Sequence, residues 1–79
     1  MRHAGTAALD GIEPLLKRAR ALPGVRERKR GIFYRGGAAL LHFHEDAAGL
    51  FADLKLNGGW KRFDVTAAVR RRAFEKRLK

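Results

Sequence analysis

The stretch GIFYRGGAALLHFHEDAAGLFADLKL, residues 31–56, decides the fold of this chain. Its apolar runs are separated by two turn signals, Gly36-Gly37 and the segment from Glu45 to Gly49. A Gly-Gly pair suits a two-residue hairpin because both turn positions require positive φ. Apolar and polar residues alternate from Leu50 to Leu56, which is typical of a strand with one buried side. The stretch therefore predicts an antiparallel meander.

Helices are predicted on both sides of this meander. Apolar residues recur from Leu9 to Leu22 at the spacing of one buried helical face. Asp10 and Glu13 form a capping-box pattern at its start, and Leu22-Pro23-Gly24 is a stop signal. A second helix is predicted after Asp64 or Thr66, with a narrow apolar stripe and a basic remainder.

The remaining segments complete the expected architecture. The charge run from Val25 to Arg30 is interpreted as a solvated connection, and Trp60 to Val65, after the turn at Asn57, as a fourth strand. We therefore expect a single α+β domain over residues 1–79. Its three- to four-stranded antiparallel sheet would carry an N-terminal and a C-terminal helix packed on one face, in the order αββββα.

The two turns also predict which residues share a face of the sheet. They set Tyr34 opposite Ala39, Ile32 opposite Leu41, Phe43 opposite Ala52 and Leu41 opposite Leu54. The predicted core face carries Ile32, Tyr34, Leu41, Phe43, Leu50, Leu54 and Leu56. The second face carries Phe33, Leu40, His42, His44, Phe51, Asp53 and Lys55, joined by Trp60 and Arg62.

Composition excludes several kinds of chemistry. The chain has 79 residues and no cysteine, which excludes disulfides, thiolate nucleophiles and Cys-ligated metal sites. It has no serine either, so Ser-nucleophile mechanisms are excluded. Neither Gly pair has the spacing of a phosphate-binding loop. We expect a non-enzymatic binding module without a cofactor.

The charge predicts the class of ligand. Eighteen Lys and Arg against eight Asp and Glu give a formal net charge of +10. A surface this basic attracts nucleic acid or another polyanion, although a GC-rich genome would also favour Arg codons. The cations expected to bind phosphates are Arg26, Arg28, Lys29, Arg30, Arg70, Arg71 and Arg72. Bases would stack on Phe33, Phe51 or Trp60 of the second face.

Two other interpretations of the second face remain open. In the first, Phe33, Leu40, Phe51 and Trp60 bury against a protein partner or a second copy of the chain. In the second, His42 and His44 point the same way from one strand, roughly 7 Å apart, and bind a metal together with Asp53. The plain alternative to that metal site is a surface His–Asp pair.

The middle third of the chain also resembles a known group of proteins. The segments Gly31–Tyr34, Leu41–Asp46 and Gly49–Leu54 are similar to a family of small uncharacterised bacterial α+β proteins. The resemblance implies a bacterial, cytoplasmic α+β domain without an assigned activity. The first five residues contain no apolar run of the signal-peptide kind, and nothing approaches the roughly 20 apolar residues of a membrane span. We therefore expect a cytoplasmic location and no membrane partner.

Overall fold

The computed structural model of the protein describes residues 2–78. Strands and helices follow one another along the chain as β1 (Arg2–His3), α1 (Thr6–Asp10), α2 (Glu13–Arg20), β2 (Val25–Lys29), β3 (Ile32–Arg35), β4 (Ala38–Asp46), β5 (Gly49–Leu56), β6 (Gly59–Asp64) and α3 (Ala68–Glu75).

One antiparallel sheet of six strands dominates the structure. Five strands lie in the order β2-β3-β4-β5-β6, and β1 pairs with the end of β4 that extends past β3. Strands hold 44% of the residues, whereas three short helices hold 27%. The expected three- to four-stranded sheet flanked by two helices is therefore wrong.

The strand β2 replaces the connection that the charge run predicted. Val25 and Glu27 are half-buried, while Arg26 and Arg28 between them are exposed, which is the two-residue period of a strand. The half-buried charge of Glu27 is compensated, because its carboxylate pairs with Arg20 of α2 and accepts a hydrogen bond from the backbone of Gly31. An edge strand therefore forms from a sequence that is almost entirely charged.

The predicted N-terminal helix is divided in two. Asp10 ends α1 and does not cap a helix; its carboxylate lies 2.7 Å from Arg30. The helix α2 begins after Ile12, which supplies no side-chain cap, and Pro14 lies in its first turn, where the missing N–H costs little. The capping-box prediction at Asp10 and Glu13 is thus wrong.

The register of the central hairpins is partly as predicted. Phe43 pairs with Ala52, Leu41 with Leu54 and Tyr34 with Ala39, and Gly36 and Gly37 have the positive φ of the expected turn. However, Phe33 pairs with Leu41, because Leu40 is an extra residue in β4 and forms a β-bulge. Tyr34 and Phe33 consequently exchange their predicted faces.

The core lies between the helices and one face of the sheet. The sheet residues that belong to it are Phe33, Leu41, Phe43, Leu50, Ala52 and Leu54. The helical segments supply Leu9, Ile12, Leu15, Leu16, Ala19, Leu22, Phe74 and Leu78, and Val65 follows β6. Ile32, Tyr34 and Leu56 of the predicted core face are not fully buried. The helices therefore cover one face of the sheet, and no helix among residues 2–78 packs on the other face.

Candidate functional site

The sheet face opposite the helices is called the open face here. Opposite residues of a ladder and alternate residues of a strand share a face, and the ring contacts among its side chains agree with that placement. The open face carries His3, Arg26, Arg28, Lys29, Ile32, Tyr34, His42, His44, Phe51, Asp53, Lys55, Trp60, Arg62 and Asp64. It therefore combines aromatic, basic and imidazole side chains, with Asp53 at its centre.

Two aromatic rings of the open face each lie beneath a cation. The guanidinium of Arg28 is 5.0 Å from the centre of the Tyr34 ring, and the ammonium of Lys55 is 5.1 Å from that of Trp60. Trp60 is also a large hydrophobic residue with 47% of its surface exposed. Its ring lies 4.9 Å from that of His42. Trp60 is therefore an exposed ring next to positive charge, and Tyr34 is a half-buried one.

A carboxylate at the centre of the open face is neutralised by its neighbours. Asp53 accepts two hydrogen bonds from Arg62, of 2.7 and 2.8 Å. This guanidinium is the main reason that the pKa of Asp53 lies below its usual value. The same carboxylate lies 2.9 Å from Nδ1 of His44, in a geometry that is not aligned as a hydrogen bond. Asp53 therefore adds little net negative charge to the face.

Three imidazoles gather beside Asp53. The ring centres of His3, His42 and His44 are 4.7 to 5.9 Å apart. Burial is the first cause that lowers the pKa of His42, followed by the charges of His3 and His44. The predicted metal ligands His42, His44 and Asp53 thus lie on one face. Within residues 2–78, however, no group of three His, Asp or Glu side chains has a geometry that could hold a metal ion.

The seven predicted phosphate-binding cations do not form one surface. Arg26 and Arg28 lie on the open face, with Lys29 exposed at the end of β2. Arg30 is engaged in ion pairs with Asp10 and Glu13. The remaining three belong to α3, which packs on the opposite side of the sheet: Arg70, Arg71 and Arg72.

Arg71 of that helix has a structural contact. Its guanidinium donates hydrogen bonds of 3.0 and 2.8 Å to the carbonyls of Val65 and Thr66. Arg70 lines a cavity of about 270 Å³ with Arg62 and Arg77, whose guanidinium is 5.1 Å from the Phe63 ring. The charges of α3 are thus separated from those of β2 by the sheet.

The predicted stacking residues differ in where the structure places them. Phe33 is fully buried in the core, which makes its assignment to the second face wrong. Leu40 is partly buried and packs against the core as well. Phe51 lies opposite His44 on the open face and is half-buried, so Trp60 is the most exposed of the predicted aromatics.

The sequence patterns miss several residues of the open face, among them Ile32, Tyr34 and His3. The predicted register puts Ile32 and Tyr34 in the core, because the β-bulge at Leu40 leaves no turn residue or glycine as a signal in the sequence. His3 was not assigned at all, since a strand of two residues has no detectable period. For β2, the available signal in the sequence is the alternation of Val25 and Glu27 with Arg26 and Arg28.

Comparisons of the chain with protein-family models, curated protein sequences and solved structures gave no match. The resemblance to small bacterial α+β proteins therefore stays a prediction. Separately, none of the helices between residues 2 and 78 has the length and apolar character needed to cross a membrane.

Proposed function

We propose that this protein is a small non-enzymatic module that binds nucleic acid through the open face of its sheet. The observation that carries the proposal is the pairing of two aromatic rings with cations on that face. Tyr34 lies under Arg28, and Trp60 lies under Lys55. Nucleic-acid ligands offer both a flat base that stacks on an aromatic ring and a phosphate that attracts the adjacent cation.

The charge balance of the open face supports the same ligand. None of the ion pairs within residues 2–78 involves Arg26, Arg28 or Lys55. Asp53 is already neutralised by Arg62. The face therefore has cations available to replace the counterions of a polyanion, which is the main source of sequence-independent affinity.

The alternative of a protein-interaction or dimerisation face has weaker support. It relies on an apolar patch made of Phe33, Leu40, Phe51 and Trp60. Phe33 is buried and Leu40 packs against the core, so the four side chains do not form a continuous surface. The remaining exposed aromatic, Trp60, is flanked by charged residues and His42.

The cytoplasmic location expected from the sequence is part of this proposal. Nucleic acid is located inside the cell, and its negative charge would attract a protein with a net charge of +10.

Two matched pairs of substitutions test the proposal. Arg26→Ala with Arg28→Ala removes two cations from the open face, and Arg70→Ala with Arg72→Ala removes two from α3. Arg71 is left in place because it contacts Val65 and Thr66. Affinity for a fluorescein-labelled single-stranded oligonucleotide is measured by anisotropy at about 50 and about 200 mM salt.

The expected result is a difference between two variants of equal charge. Loss of two phosphate contacts lowers the slope of log affinity against log salt by about 1.4 for a single strand. We expect this change in the variant of β2 and not in that of α3. A larger change in the α3 variant, or no binding by the unmodified protein at the lower salt concentration, contradicts the proposal.

A further inference from the structure

We propose that the ligand is a single strand that runs across the strands of the sheet and stacks two non-adjacent bases on Tyr34 and Trp60. This inference rests on the proposed function, because it specifies the ligand of the same face. It follows from where the register places the two rings, from the distance between them and from the charges beside them.

The two rings lie in one transverse row. Arg26 pairs with Tyr34 and Tyr34 with Ala39, whereas Lys55 pairs with Trp60 on the other side of the sheet. The row passes through the bulge residue Leu40, which follows Ala39 and is one step from the Leu41–Leu54 pair, as Lys55 is. Across the sheet, this row therefore contains a cation and an aromatic ring, Arg26 and Tyr34, then Ala39 and Leu40, and finally a second cation and ring, Lys55 and Trp60.

The distance between the rings excludes neighbouring stacked bases. Tyr34 is in β3 and Trp60 in β6, which are three strand spacings apart, or roughly 14 Å. Stacked neighbours in a duplex strand are separated by only about 3.4 Å. The ligand must therefore be unstacked and extended, with one or more nucleotides between the two bases that contact the rings.

The nucleotide between the two bases also finds a suitable surface. The imidazole of His42 is 4.9 Å from the Trp60 ring, and His42 belongs to β4, between the strands of the two aromatic residues. His42 pairs with Ile32 and Asp53, so its ring widens the platform beside the row on the side of Trp60. The cations Arg28 and Lys55 flank the ends of the path, where phosphates would lie.

The acids of the sheet restrict the path to this row. Asp46 and Asp64 lie at the opposite end of β4 and β6, where each carboxylate accepts a hydrogen bond from a backbone N–H of the following turn. Phosphates are repelled from that end. A duplex, whose base faces are covered by their neighbours, cannot use the rings at all.

The experiment uses the intrinsic fluorescence of the protein. The chain has one Trp and one Tyr, which are Trp60 and Tyr34 themselves. Oligothymidylates of one to six nucleotides are titrated into the full chain, in parallel with a blunt duplex of matched charge. We expect single strands to quench Trp60, and affinity to rise most sharply when the length reaches three nucleotides.

Substitutions test each ring separately. Trp60→Leu and Tyr34→Leu are each expected to weaken binding of a hexathymidylate, followed by anisotropy, about fivefold or more. Trp60→Phe and Tyr34→Phe restore most of the affinity because they keep a ring. Val69→Ala, at an exposed apolar residue of α3, is the matched control and leaves the affinity unchanged.

The outcomes separate this inference from the proposed function. If single strand and duplex bind equally, Trp60 is not quenched and both leucine variants bind normally, the path is wrong while binding to the charged face still stands. If no nucleic acid binds at low salt, the proposed function fails and this inference fails with it. The inference is supported if single strands quench Trp60, if affinity rises most sharply at three nucleotides, and if both leucine variants lose affinity.

Discussion

Asp53 lies opposite His42 in the ladder between β4 and β5, but its Oδ2 atom lies 2.9 Å from Nδ1 of His44, one diagonal step away. The other side of the same carboxylate receives Arg62 from β6. One side chain of β5 therefore links the two neighbouring strands across the open face. Asp53 is thus a structural link within the sheet as well as a charge in the centre of the candidate site.

Asp53→Asn is expected to lower the melting temperature by a few degrees, because it removes the ion pair with Arg62. The effect depends on pH. The folded pKa of Asp53 lies below the ordinary value of 3.8, so its stabilising contribution is present above that pH and is lost as the pH falls through the folded pKa. Thermal denaturation of both proteins between about pH 7 and pH 2.5 measures this.

The difference in melting temperature between wild type and variant should therefore be constant near neutrality and shrink in strong acid. A difference that is the same at every pH would contradict the ion pair as its cause. The variant also removes a negative charge from the open face, so its affinity for an oligonucleotide should rise.

His42→Gln is expected to reduce the sensitivity of the fold to mild acid. The pKa of His42 is lowered from 6.5 in the folded protein, mainly by burial and then by the nearby His3 and His44. The unfolded chain therefore binds a proton at a higher pH than the folded one, and stability falls as the pH drops below about 6.5. The groups that face His42 are His3, His44, Asp53, Lys55 and Trp60.

Urea denaturation at about pH 7.5 and about pH 5.5 checks this expectation. Wild type should lose stability on acidification, and His42→Gln should lose less. Arg18→Gln, at an exposed position of α2, is a control that should behave like wild type. Equal losses in all three proteins would show that another group is responsible.

Phe33→Ala is expected to cost about 3–5 kcal/mol of unfolding free energy, because the ring is fully buried. In a domain of 79 residues, that is a large part of the total stability. Phe51→Ala, on the open face and half-buried, should cost clearly less. Chemical denaturation of the two variants compares them, and the reverse order of their effects would refute the register of β3.

Gly49→Ala is expected to destabilise the turn between β4 and β5. Gly49 has φ +142°, and a Cβ atom there would lie 2.2 Å from the Thr66 hydroxyl. That hydroxyl accepts a hydrogen bond of 2.9 Å from the backbone of Leu50, so it cannot move away freely. We expect a loss of more than about 1 kcal/mol.

Gly36→Ala is the matched control for that substitution. Gly36 also has positive φ, at +59°, but an added Cβ would meet nothing within 4 Å. Its variant therefore carries the backbone strain without the clash. If Gly36→Ala is as destabilising as Gly49→Ala in thermal melts, the contact with Thr66 is not the cause.

The sequence predicts the central hairpin well, for a physical reason. The register of β4 with β5 follows from a short turn and a strict alternation of apolar residues, since a slip of one residue would expose the whole buried face. His42 and Asp53, and likewise His44 and Phe51, lie opposite each other as predicted. This part of the candidate site is encoded locally.

The rest of the site depends on features without a local signal. The bulge at Leu40 moves Tyr34 to the open face and Phe33 into the core, and only packing against the helices selects it. The strand β2 depends on Arg20 of α2, which compensates the half-buried Glu27 across seven residues of chain. The sequence pattern of a single segment cannot reveal contacts with residues of other segments.

The two outer strands of the sheet carry a further consequence. Unpaired strand edges are templates for edge-to-edge association, which proteins prevent with charged side chains. The outer strand β6 places Lys61 and Arg62 side by side on opposite faces, and β2 carries Arg26 and Arg28. Two copies that met along either edge would bring like charges together, so the sheet resists edge-to-edge growth into fibres. A bound polyanion that neutralised these edge charges would weaken that protection.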